Sequence, residues 1–167
     1  MKCRGLPEEA APLVAMVRYG RAVVERWVEL ARAPAELAAA LGLGPVEPRG
    51  ELANEGATRV AQGARRGREL SLSVRLEGAR CVTVVSVGVA GGAPFARDRG
   101  PARASGEGEA PAYAQALAEG APPVLARAVG EAGCVSLEFE GLAPEPEEVG
   151  RLVEAVFEAT HGSGAYR

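Results

Sequence analysis

The stretch Glu69-Leu-Ser-Leu-Ser-Val-Arg-Leu-Glu-Gly-Ala-Arg-Cys-Val-Thr-Val-Val-Ser-Val-Gly-Val89 decides how this chain folds. In its first half Leu70, Leu72, Val74 and Leu76 alternate with Glu69, Ser71, Ser73 and Arg75, the period of a strand with one dry face. Glu77-Gly78 reads as a tight turn, and Cys81 to Val89 is apolar at almost every position, as in a central strand. Two such runs joined by a short turn predict an antiparallel hairpin over 69–89.

Towards the C-terminus, Val135, Leu137 and Phe139 alternate with Ser136, Glu138 and Glu140, which predicts a half-exposed strand over 134–140. Pro146, Glu147 and Glu148 then open a helix, with the proline in its first turn and the carboxylates near the positive end of the dipole. Val149, Leu152, Val153, Val156 and Phe157 keep the apolar stripe of that helix, and Gly162 ends it. Between hairpin and strand, 91–110 is rich in Gly, Pro, Ala and Arg without a period and reads as a long loop. From Pro111 on, Tyr113, Leu117, Val124, Leu125 and Val129 suggest two short helices separated by Gly120 and Pro122-Pro123.

Towards the N-terminus, 44–67 carries Pro45, Pro48, Gly50, Gly56, Gly63 and Gly67 and reads mostly as loop. Pro34, Leu37 and Leu41 mark a short helix stopped by Gly42 and Gly44-Pro45. A longer amphipathic helix is expected after Pro7, with Leu13, Met16, Val17, Val24, Trp27 and Val28 on one stripe. The expected fold is therefore α+β: a small, mainly antiparallel sheet made of the hairpin 69–89 and the strand 134–140. Helices pack on one face of it, an N-terminal helical segment precedes it, and the whole of 1–167 forms one domain.

Ala35-Glu-Leu-Ala-Ala-Ala-Leu-Gly-Leu43 resembles the first helix and turn of bacterial helix-turn-helix regulators. The resemblance implies a polar recognition helix next in the chain, where this sequence has Pro45, Pro48 and Gly50.

Composition bears on function chiefly by what it lacks. Of 19 basic residues 18 are Arg, of 22 acidic residues 21 are Glu, and Ile is absent, the bias of a bacterial gene saturated in G and C. One His (His161), one Asp (Asp98) and one Lys (Lys2) leave few groups for proton or phosphoryl transfer. No GxxxxGK[ST], GxGxxG or GxSxG motif occurs, so no nucleotide cofactor and no serine nucleophile is expected. Cys3, Cys81, Cys134 and His161 have zinc-ligand chemistry but no paired local spacing, and no metal is expected. Three cysteines without a CxxC pair fit reduced thiols, and the absence of an apolar leader or span fits a cytoplasmic protein with no membrane partner.

A hydrophobic share of 47% builds an ordinary core, and a net charge of −3 provides no overall pull on nucleic acid. The expectation is a non-enzymatic protein-binding or accessory protein, of immunity, chaperone or adaptor type, with another protein or a second copy as partner. Its contact residues are expected among Arg97, Arg99 and Arg103 of the long loop and Glu138 and Glu140 of the sheet face. The alternatives are nucleic-acid binding through Arg59, Arg65, Arg66 and Arg68 with the loop arginines, or an enzyme working with Glu and Arg alone.

Overall fold

A computed structural model of the chain describes residues 32–49, 58–77, 80–89, 94–98, 103–104, 112–131, 133–141 and 144–161. Apart from Arg32, these belong to the compact unit Ala33–Arg167. The amphipathic helix expected after Pro7 and the Gly162 cap lie outside the described residues.

The helical residues up to 41 form α1, which buries Leu37, Ala38 and Leu41. Gly42, at a φ of 72°, ends it: its N–H reaches Ala39 O at 3.1 Å and the Leu43 N–H reaches Ala38 O at 2.8 Å, a Schellman stop. The next element is not a recognition helix but a strand, β1 (Glu47–Arg49), paired to β2 (Thr58–Arg65). The helix-turn-helix resemblance thus ends at its turn.

The loop expected over 44–67 is corrected accordingly, because β2 runs into β3 (Arg68–Glu77) through Arg66 and Gly67. Their φ values of 53° and 71° match the primed two-residue turn that suits the twist of paired strands. The strand escapes a periodicity reading because its inward positions are Arg59, Ala61, Gly63 and Arg65. Gly63 is held small by Leu43, since a Cβ there would meet Leu43 Cδ2 at 3.1 Å.

The hairpin of β3 with β4 (Arg80–Gly88) forms as expected, in the register Leu72↔Val85 and Glu77↔Arg80. Strand β8 (Cys134–Glu140) lies against β4, and the two occupy the centre of an eight-stranded antiparallel sheet ordered β1-β2-β3-β4-β8-β7-β5-β6. The remaining strands are corrections to the sequence reading. β5 (Phe95–Asp98) and β6 (Arg103–Ala104) form within the expected loop 91–110. β7 (Leu125–Glu131) replaces the second of the two expected helices, and only α2 (Ala112–Glu119) is helical there.

Inward side chains line up in register across the sheet: Ala61, Leu72, Val85, Leu137, Ala128 and Arg97 form one such row, all buried. On α3 (Pro146–His161) the expected stripe of Val149, Leu152, Val153, Val156 and Phe157 is buried as well. Arg68, which has the inward parity of Leu70 and Leu72, donates through Nη1 to Thr160 Oγ1 at 2.7 Å, so α3 lies over that face. Burying each Leu, Val or Phe among them is worth about 1.5–3 kcal/mol relative to exposure.

Candidate functional site

Parity along each strand divides the sheet into two chemically different faces. Opposite the core, Gln62, Ser71, Ser86 and Ser136 stand side by side on β2, β3, β4 and β8. The next row holds Val60, Ser73, Val84, Glu138, Arg127 and Asp98. These outward side chains are half-buried or exposed. Ser86 Oγ and Ser136 Oγ are 3.1 Å apart and share a hydrogen bond. Arg127 Nε meets Asp98 Oδ1 at 3.1 Å, and Glu138 stands opposite Arg127 in register.

A groove of about 280 Å³ opens on this face beside the serine row. It is lined by Gln62, Glu69, Ser71, Ser86, Gly88 and Cys134, among others. Gly88 helps to make the opening, for a Cβ there would stand 3.2 Å from Glu69 O and 3.3 Å from Glu69 N. A smaller hollow, lined in part by Pro45, Glu47, Arg49 and Val60, shares Gln62 with it. Sequence reasoning named Ser136 with its glutamates but not the groove, whose lining comes from β2, β3, β4 and the start of β8.

The sequence-named residues do not gather at one place. Glu138 and Glu140 are on the outward side of β8, half-buried and exposed respectively. Arg97 is not a loop residue: it sits on β5, 9% exposed, on the inward face, with Nη1 donating to Leu125 O at 3.4 Å. Arg103 falls on β6, and Arg99 lies outside the described residues.

The other arginine group is engaged by α3. Arg65 Nη2 and Arg66 Nη2 clasp the two carboxylate oxygens of Glu154 at 2.7 and 2.6 Å. The Arg66 guanidinium lies 5.9 Å from the Phe157 ring centroid, and Arg68 holds Thr160. The Arg59 Nε is buried without a hydrogen-bond partner among the described residues. Three of the four arginines named for nucleic acid therefore fasten the β2–β3 hairpin to the last helix.

The described cysteines do not come together. Cys81 faces the core from β4 while Cys134 faces outward from β8, so the two thiols stand on opposite sides of the sheet. Cys3 lies outside the described residues. Among the described residues no group of three or more His, Cys, Asp or Glu side chains could hold a metal ion. None of the described helices is long and apolar enough to cross a membrane.

No protein-family model and no curated protein matches the chain. Among solved structures it is similar to the crystal structure of the mycobacterial trehalose monomycolate transport factor A, TtfA, with a TM-score of 0.53. The alignment covers 78% of this chain and 93% of that one at 14% sequence identity, a likeness of fold. That neighbour is described as a transport factor.

Proposed function

We propose that this chain is a small non-enzymatic accessory protein that binds another protein through the outward face of its sheet, as a single domain in the cytoplasm. The observation that carries this reading is the outward face itself. Across five strands it presents two registered rows, Ser71, Ser86 and Ser136 in one and Glu138, Arg127 and Asp98 in the next, with a groove beside them. A rigid polar surface with a concave feature can be recognised by a partner with little reordering, which lowers the entropic cost of association. The similar fold of a transport factor supports an accessory role.

Nucleic-acid binding is the weaker reading, because Arg65, Arg66 and Arg68 would have to leave Glu154 and Thr160 to reach phosphates. Catalysis by Glu and Arg is weaker too, since Glu138 and Glu140 do not line the groove.

The test is co-purification of the tagged protein from its native host beside a doubly substituted protein, E138K/E140K. Recovery of a specific protein, or of a second copy of the chain, by the parent but not by the variant is expected. Recovery of the same proteins by both, or of none above background, would discard this assignment of the surface.

A further inference from the structure

We infer that the groove beside the serine row is a pocket for one arginine side chain of the partner protein. This rests on the protein-binding reading above and names the chemistry that the face selects. At about 280 Å³ the groove falls just below the usual range for small-molecule sites, roughly 300–1,000 Å³, and suits a single long side chain. Among its described lining residues the only ionised side chain is Glu69, and it is negative. Among the described lining residues there is no arginine to receive a phosphate or carboxylate and no aromatic ring to stack a base or a sugar.

The lining offers hydrogen-bond acceptors. Ser71 and Ser86 are direct cross-strand partners, so their hydroxyls stand on strands about 4.8 Å apart. That separation matches the diverging N–H groups of a guanidinium, which carries five donors and no acceptor. Gln62 supplies a further carbonyl at the β2 end of the same row. Glu69 lies two residues from Ser71 on the same side of β3, placed to close a charge-assisted pair over the guanidinium. Beyond Cys134, Glu131 is its register partner on β7 and extends the negative potential along the approach.

The experiment titrates the isotope-labelled full chain with N-acetyl-arginine amide, N-acetyl-citrulline amide and N-acetyl-norleucine amide, reading backbone amide shifts by NMR. Citrulline keeps the shape of arginine and loses its charge. The arginine amide is expected to move Glu69, Ser71, Ser86 and Gly88 in a saturable way, with citrulline weaker by about tenfold and norleucine silent there. E69Q is expected to weaken arginine by about tenfold, and S71L, which fills the groove, to abolish the response while the remaining spectrum keeps its dispersion. Equal responses to arginine and citrulline, an unchanged response in E69Q, or no movement at the groove would overturn the inference. Because co-purification of a partner is measured separately, failure here leaves the protein-binding reading to stand or fall by its own test.

Discussion

Replacing Gly130 by Ala sets two physical effects against each other. Gly130 lies within β7, one residue from its end, where glycine is disfavoured, so backbone propensity alone predicts that alanine stabilises by about 0.5–1 kcal/mol. Across the ladder, however, Gly130 is the register partner of Phe95, whose ring is fully buried. A Cβ on Gly130 would stand inside the van der Waals envelope of Phe95 Cε1 and Cδ1, and it would meet Cζ at 3.3 Å. Relief requires moving a close-packed aromatic ring or the backbone of β5, and overpacking of this kind costs about 1–3 kcal/mol. The steric effect wins, leaving G130A destabilised by about 1–2 kcal/mol, or about 2–8 °C in Tm. Urea and thermal unfolding followed by far-ultraviolet circular dichroism measure it. Phe95→Val costs a few kcal/mol on its own through the cavity it leaves, but on that background G130A should keep only its backbone gain and stabilise by about 0.5–1 kcal/mol. The coupling energy of the cycle is then about 1–3 kcal/mol. A G130A protein as stable as the parent, or two substitutions that simply add, would show that Phe95 does not press on Gly130.

Other contacts set further expected outcomes. Glu154→Ala removes the carboxylate shared by Arg65 and Arg66, whose side chains are 37% and 46% exposed, and should cost about 1 kcal/mol in urea melts at low ionic strength and less in 0.5 M salt. Thr160→Val takes away the acceptor of Arg68 and the hydroxyl that donates to Val156 O at 2.7 Å, and a loss of about 1–3 kcal/mol is expected from the same melts. Gly141→Ala, at a φ of 100°, should destabilise by about 1 kcal/mol or more because an L side chain strains that backbone. In a low-salt mobility assay the parent protein should leave duplex DNA and RNA unshifted, whereas a shift that fades steeply with added salt would restore the nucleic-acid reading.

How much of the fold was legible depended on what occupies the inward positions of each strand. β3, β8 and α3 place Leu, Val or Phe at every buried step except Thr160, so a period of two or 3.6 stands out in the sequence. β2 and β7 place Arg59, Ala61, Gly63 and Arg65, or Ala128 and Gly130, at the same steps. There the core is filled from elsewhere, by Leu43 over Gly63 and Phe95 over Gly130, and the alternation disappears. The alanines of 125–131 also favour a helix by propensity, which tertiary pairing overrode. Arg97 was misplaced for a related reason: a short strand with two alternating buried residues, Phe95 and Arg97, inside a Gly- and Pro-rich stretch carries too little periodicity to detect. Of the proposed surface, Ser136, Glu138 and Glu140 were visible as one side of a strand, while Glu69, Ser71 and Ser86 were visible only as members of two others.

By itself the sequence determined which segments had a dry side and a wet side: the hairpin, the strand 134–140 and the last helix. Such amphipathy is a local property, since each residue's burial repeats with the backbone period of its own segment. The tertiary structure alone decided that β8 enters beside β4, that β5 lies outside β7, and that Arg65, Arg66 and Arg68 turn to α3. Strand neighbours and ion-pair partners are chosen among segments far apart in the chain, and no periodicity within a segment records which neighbour it will meet. The groove is of that second kind, assembled where β2, β3, β4 and β8 come together.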